Sequence, residues 1–357
     1  MNHEFLQAIK DIEKEKGVSA EQIINALESA LTSAYKKNFN SSANANVIIN
    51  RETGEIKIYS RRTVVEKSQD DRNEISYEDA QKISAKYEMD DIVETEVNAS
   101  SFGRIAAQTA KQVTVQKIKE AERELVYNEY KNRINDIITG VVQRYEQKSV
   151  IIDLGKTEAI LEQKEQMPGE VYPIGDRIKV FIVDVKDTSK GPKILLSRTH
   201  PGLLKRLFEL EVPEIFEGIV EIKSVAREAG HRSKIAVYSR DENVDPVGAC
   251  VGQKGLRVQA IVNEIKGEKI DIVKWDEDNA VYIANSLSPA KVMLVEVNED
   301  DKMSRVVVPD YQLSLAIGKE GQNARLAAKL TNWKIDIKSQ SQAGDLLAEY
   351  GEDYEED

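Results

Sequence analysis

The chain has 357 residues, a length that calls for two to four domains, each large enough to bury a core. It is 41% hydrophobic, 31% charged and 6% aromatic with one cysteine, which excludes an internal disulfide and a fold built on large aromatic sandwiches. The net charge of −12 does not exclude a nucleic-acid partner, because residues 341–357 hold seven acids and no base, leaving −5 for the first 340.

The N-terminus, with Glu4 and no apolar run of signal-peptide length, predicts no export, and no later run approaches the roughly 18 to 20 apolar residues of a membrane span. A cytoplasmic protein without membrane contact is expected. Phe5, Leu6, Ile9 and Ile12 have helical spacing, with Gly17 placed to end the helix. Ser19 and Gln22 form the pattern of a capping box, and Ile23, Leu27, Ala30, Leu31 and Ala34 make one stripe running to Lys36 and Lys37. Val47, Ile49, Ile56 and Ile58 alternate with polar residues around Gly54, which predicts a hairpin. A short helix over Tyr77–Tyr87 and a strand over Ile92–Val97 come next. Ile105 to about Tyr130 contains no glycine or proline and predicts the longest helix, with Ala106, Ala110, Val113, Ile118, Ala121 and Leu125 as its apolar stripe. Its bases, Arg104, Lys111, Lys117, Lys119 and Arg123, read at first as a solvated face.

Beyond Asp136 the pattern changes to short strands: Ile137–Val142, Ser149–Leu154, Ala159–Leu161, Arg177–Val185 and Lys193–Ser197. Five short strands separated by Gly155, Pro168-Gly169, Gly175 and Gly191-Pro192 suggest a small closed barrel of OB-fold type. The segment resembles the S1-type RNA-binding barrel, closing on Ile194-Leu195-Leu196-Ser197-Arg198. Tyr145, Tyr172 and Phe181 are the aromatics available for base stacking, and one or two of them are expected in the core.

Pro201-Gly202 opens a unit with a helix over Leu203–Leu210, strands over Ile215–Ser224 and Lys234–Tyr238, and the loop Gly252-Gln253-Lys254-Gly255. Behind the loop, Val258, Ile261, Val262 and Ile265 form one helical face, and Lys269-Ile270-Asp271-Ile272 closes the unit. Cys250, between Ala249 and Val251 ahead of the loop, is expected to be packed rather than reactive. The order then repeats. A helix over Ala280–Leu287 leads to strands Val292–Val297 and Arg305–Val308, a helix from Tyr311, the loop Gly318-Lys319-Glu320-Gly321, a helix with Ala324, Ala327, Ala328 and Leu330, and Lys334-Ile335-Asp336-Ile337. The loops are 66 residues apart and the closing phrases 65. Glycine at both ends lets loop amides approach a ligand, and a helix start directly behind it suits phosphate.

Each copy resembles the prokaryotic-type (type II) KH domain, which clamps about four nucleotides of single-stranded nucleic acid. A lone Gly-x-x-Gly carries little weight, but two copies with matching flanks directly after an S1-like barrel are specific. The residues support loop amides near phosphates, with Lys254 and Lys319 as charge partners and Arg257, Asn323 and Arg325 reaching phosphates or base edges. Glu320 places an acid in the second loop, where it should repel phosphate or meet a base amine.

The chain from residue 1 to about 340 resembles the bacterial NusA family of transcription elongation and termination factors. The stretches that carry this are Phe102-Gly103-Arg104-Ile105-Ala106-Ala107-Gln108-Thr109-Ala110-Lys111-Gln112, Ser197-Arg198-Thr199-His200-Pro201, Val244-Asp245-Pro246-Val247-Gly248, and Val308-Pro309-Asp310-Tyr311-Gln312-Leu313-Ser314-Leu315-Ala316-Ile317-Gly318. The resemblance implies a multidomain α+β protein. Its parts would be an α/β N-terminal polymerase-binding domain with a long helix over 1–132, an S1-type OB barrel over 136–199, and KH domains over 200–276 and 277–340. The chain departs from some members in having no C-terminal repeats but a short tail over 341–357, whose acidic run reads as disordered. The resemblance further implies docking on RNA polymerase near the RNA exit channel, with effects on pausing, termination and antitermination. The partners would be nascent single-stranded RNA, RNA hairpins and other Nus factors, and the factor would be a monomer without metal or cofactor. Lys36, Lys37, Arg104 and Lys111 are then candidate contacts to polymerase or a hairpin, and Tyr145 and Arg198 candidate barrel contacts to RNA. Two other classes compete: an RNA-binding protein of ribosome assembly or translation, and an enzyme. The second finds no support, since no P-loop is present and His3, His200 and His231 are scattered.

Overall fold

The computed structural model describes the backbone of residues 2–16, 19–38, 44–70, 73–96, 103–189 and 191–343. Gly17, Val97, Phe102, the side chains of Phe5, Arg104, Ile105 and Ala106, and the acids from Asp345 onward lie outside the described residues. The chain divides into two compact units, Met1–Val126 and Tyr127–Asp357.

In the first unit α1 (Asn2–Lys16) and α2 (Ala20–Asn38) precede β1 (Asn44–Ile49) and β2 (Ile56–Val65). The expected stripe of α2 is the core: Ile23, Leu27 and Leu31 are fully buried against Leu6, Ile9, Val47, Ile49 and Ile58. The hairpin register pairs Val47 with Ile58 and Ile49 with Ile56, so the alternation puts all four on the core side. Gly54 turns it at φ 68° and donates its N–H to Asn50 O at 2.8 Å.

β3 (Glu74–Ser76), too short to show a period, runs parallel to β2. The next helix, α3 (Tyr77–Ile83), is capped by Ser76 and ends before Tyr87, because Ser84 adopts extended backbone. β4 (Ile92–Glu96) completes the sheet beside β2. The long helix is α4 (Gly103–Lys131); Ala110, Val113 and Ala121 pack on the core as expected, whereas Leu125 is 58% exposed and not part of the stripe.

The second unit begins with β5 (Ile137–Glu146), β6 (Ser149–Asp153), β7 (Glu158–Leu161), β8 (Arg177–Lys186) and β9 (Lys193–Ser197). They close in the order β5-β6-β7-β9-β8. Register shifts at Val142/Arg144 and Ile182/Asp184 bend the two ten-residue strands, which closure of so small a barrel requires. Val150, Ile152, Leu161, Val180, Ile182, Ile194 and Leu196 fill it.

The first KH module comprises α5 (Pro201–Glu211), α6 (Pro213–Phe216), β10 (Val220–Glu228), β11 (Arg232–Ser239), α7 (Pro246–Val251), α8 (Leu256–Glu264) and β12 (Lys269–Lys274). Ile215 and Phe216, expected in a strand, are helical because Pro213 opens a one-turn helix. The second module comprises α9 (Asn279–Ser286), β13 (Leu294–Asn298), β14 (Met303–Val308), α10 (Leu313–Ile317), α11 (Gln322–Thr331) and β15 (Lys334–Ser339). Both sheets share one topology: β10-β11 and β13-β14 are antiparallel, and β12 and β15 add in parallel to the second strand.

Barrel and first KH module share one core. Met167 and Phe181 belong to the same buried cluster as Leu203, Leu204, Leu207, Phe208, Ile235, Val237 and Ile261, each such large side chain contributing roughly 1.5–3 kcal/mol on burial. Phe181 also stacks on His200, centroids 4.6 Å apart. The two KH modules meet where Ala226, Ala236 and Val273 pack under Tyr282, Leu326 and Leu330, and the Tyr282 hydroxyl donates to Leu330 O at 3.0 Å. The start of the acidic segment is tied in: Ser341 N donates to Asp310 at 3.0 Å, and Ala343 is buried. Residues 341–343, expected in the tail, are thus held against the second KH module.

Candidate nucleic-acid interface

The two glycine loops have the same conformation despite different side chains. Gly252 and Gly318 lie at φ/ψ of 71/176° and 75/173°, Lys254 and Glu320 at 51/25° and 53/25°, and Gly255 and Gly321 at 77/13° and 73/16°. The hydrogen bonds repeat too. The first glycine donates N–H to Gly248 O in one copy and Ser314 O in the other, both at 2.9 Å, and its carbonyl accepts from the last glycine at 3.1 Å in both. The N–H groups of Gln253 and Lys254, and of Lys319 and Glu320, take no part in closing these turns, and all four side chains are exposed. An exposed turn followed directly by α8 or α11 is a ready anion cradle. Lys254 and Glu320 occupy the same place in it, a difference of two charges at that position, which Lys319 in place of Gln253 reduces to one for the loop as a whole.

Arg257 and Asn323, expected to reach RNA, instead hold the loops from beneath. Arg257 Nη1 donates to Ala249 O at 2.6 Å and to Glu214 at 2.9 Å, while its stem lies under Gly252. Asn323 is 4% exposed, and its Nδ2 donates to Leu287 O and Ala316 O at 3.0 Å each. Both residues cap carbonyls that the helix before the loop leaves open, so Asn323 is a structural residue, and the Arg257 head is committed within the protein. Arg325 is 48% exposed but paired with Glu228 of β10 at 2.6 Å, and its Nη1 donates to Glu320 O at 3.2 Å.

The barrel shows the same contrast. Tyr145 is 49% exposed, its ring held outward by a hydrogen bond from its hydroxyl to Tyr172 O at 2.9 Å. Tyr172 and Phe181 are core. Arg198 is fully buried and cannot touch RNA: it donates to Glu170 at 2.5 Å, to Lys179 O at 2.7 Å and to Glu264 at 3.2 Å, tying the barrel to α8. A second buried pair joins Arg227 to Glu268 at 2.9 Å, and Arg227 Nη1 donates to His200 O. Fully hydrogen-bonded pairs of this kind specify one packing geometry at high cost if broken. Buried Lys234, its pKa lowered by loss of hydration, donates to Ser288 O at 2.7 Å and to Asp271 at 3.1 Å, joining the two KH modules. Cys250 is buried in the first KH core and its thiol pKa is pushed up to about 12 by the same cause, so it is packed as expected.

Lys36, Lys37 and Lys111 are exposed in the first unit. Glu228, Glu264 and Glu268 were not singled out from the sequence. Their arginine partners lie 97, 66 and 41 residues away, in the contacts Arg325–Glu228, Arg198–Glu264 and Arg227–Glu268, and no local pattern marks such pairings.

Four family models cover this chain in order: NusA N-terminal domain over residues 4–124, S1 RNA binding domain over 131–197, NusA-like first KH domain over 198–275 and NusA-like second KH domain over 279–345. Among curated relatives, the transcription termination/antitermination protein NusA of Halalkalibacterium halodurans is 61% identical over 97% of this chain and 91% of its own length. That of Bacillus subtilis is 60% identical over 100% of this chain and 96% of its own. That of Thermus thermophilus is 43% identical over 95% and 90%.

Proposed function

Because the chain belongs to the NusA family of transcription termination/antitermination proteins, we propose that its second unit grips the nascent transcript while its first unit docks on RNA polymerase near the RNA exit channel. The observation that carries the RNA half is the pair of superposable glycine loops built into one unit with an S1 barrel. Single-stranded RNA would lay phosphates on the loop amides, with Lys254 as the stronger cation and Tyr145 offering a stacking face on the barrel. The first loop is the main clamp and the second, carrying Glu320, the weaker. No catalytic step is needed for this role. Residues 1–132, with Lys36, Lys37 and Lys111 exposed, supply the polymerase half, and other Nus factors join in antitermination. The protein works as a monomer in the cytoplasm; among the described residues no helix is long and apolar enough to cross a membrane.

A paused-transcription assay with purified polymerase tests this. The unmutated chain should lengthen pauses, and a chain carrying Gln253→Asp and Lys254→Asp should lose most of that effect while still co-purifying with polymerase. Co-purification with ribosomal particles in place of polymerase would move the protein to translation or ribosome assembly.

A further inference from the structure

Glu228 belongs to the first KH module, yet both its oxygens are taken by the second. Oε1 accepts from Arg325 Nε at 2.6 Å, and Oε2 from Gln322 Nε2 at 2.9 Å and Arg325 Nη2 at 3.3 Å. Gln322 and Arg325 are the first and fourth residues of α11, directly behind the second loop. The Glu228 side chain is 18% exposed and that of Arg325 48%. A guanidinium and an amide gripping two oxygens in a fork is also how such groups hold the two free oxygens of a phosphodiester. The first loop has no counterpart: the matching positions are Leu256 and Gln259, and Gln259 donates to Asn263 of its own helix at 2.9 Å.

We propose that Glu228 is a built-in competitor for RNA phosphate at the second KH loop, occupying Arg325 and Gln322 until RNA displaces it. This deepens the RNA-binding reading and rests on it. Phosphate gains the Nε–Nη2 edge of Arg325 only by breaking a fork that also ties the two KH modules together, so the second loop is a conditional site. RNA already held by the first loop raises the local phosphate concentration enough to take it. Together with Glu320, this makes the inequality of the loops a property of the packed tandem and not of loop sequence alone.

The test uses the full-length chain and a labelled, unstructured single-stranded RNA, read by fluorescence anisotropy across a salt series. Glu228→Gln should tighten binding about three- to tenfold at low salt and steepen the log-affinity against log-salt slope by about 0.7, with or without the Gln253→Asp/Lys254→Asp pair. Adding Arg325→Gln should abolish the gain. Equal or weaker binding by Glu228→Gln, or a gain that survives Arg325→Gln, overturns the proposal. Since Glu228→Gln also removes a tie between modules, the unmutated chain supplies an independent readout: carbodiimide labelling of Glu228, followed by mass spectrometry, should rise when RNA is added. Unchanged labelling overturns the proposal as well. Failure of the unmutated chain to bind the RNA would instead sink the RNA-binding reading, which these outcomes keep separate.

Discussion

Substituting alanine at each of the four loop glycines should give a graded loss of stability whose order follows from the surroundings of each. Gly318 has φ/ψ of 75/173°, a region occupied essentially by glycine and costing other residues on the order of 1–3 kcal/mol. A Cβ there would lie 2.9 Å from both the Cβ and the backbone nitrogen of Asn323. Asn323 is buried and holds two carbonyls, so it cannot retreat, and crowding adds roughly 1–3 kcal/mol. Gly318→Ala should therefore cost about 3–5 kcal/mol. At Gly252 the obstacle is the Arg257 stem at 2.7 Å; it can move, but only by loosening its bonds to Glu214 and Ala249, for about 2–4 kcal/mol. Gly321 is left-handed with nothing within 4 Å of a Cβ, so Gly321→Ala should cost only about 1–2 kcal/mol, and Gly255→Ala about the same. Tryptophan fluorescence during denaturant unfolding reads this directly, since both tryptophans, Trp275 and Trp333, lie in the KH region. Losses at Gly318 and Gly321 that agree within about 1 kcal/mol would refute the argument from the loop's fixed floor.

Asp at Gln253 and Lys254 should weaken single-stranded RNA binding more than Lys319→Asp; equal losses in an anisotropy titration would remove the ranking of the loops. Arg198→Ala should cost about 3–5 kcal/mol by leaving Glu170 buried without its cation, yet leave RNA affinity per folded molecule unchanged, as comparing denaturant midpoints with titrations of the same samples would reveal. The pKa of Glu228 is depressed by the hydrogen bond from Arg325, then by Gln322 and by the charges of Arg325 and Lys329. Its contribution is therefore present above the ordinary carboxylate value near 4.5 and lost as pH falls through the lower folded value. Melting followed by tryptophan fluorescence should show stability lost on acidification in the unmutated chain, and less so with Glu228→Gln.

The elements of this protein were legible because their signals are local. Helical stripes such as Ile23-Leu27-Leu31 and alternations such as Val47-Ile49 are set by the 3.6 and 2.0 residue periods, and each faces a core whatever that core contains. The barrel strands and both glycine loops were found in the same way. Misses fell where neighbours decide: β3 pairs along the edge that β2 offers it, and Leu125 carries an apolar side chain that the fold leaves 58% exposed.

The sequence by itself determined two KH-like copies, their order after a barrel and the two loops, since these rest on residue type and spacing along the chain. Which cations remain free for RNA was decided by tertiary structure alone. Arg198, Arg257 and Arg325 look alike as exposed bases in a list of residues, but carboxylates 28, 43 and 97 residues away, Glu170, Glu214 and Glu228, each claim one. A charge is available to a ligand only if no closer opposite charge holds it, and that depends on distance through space, which spacing along a chain does not contain.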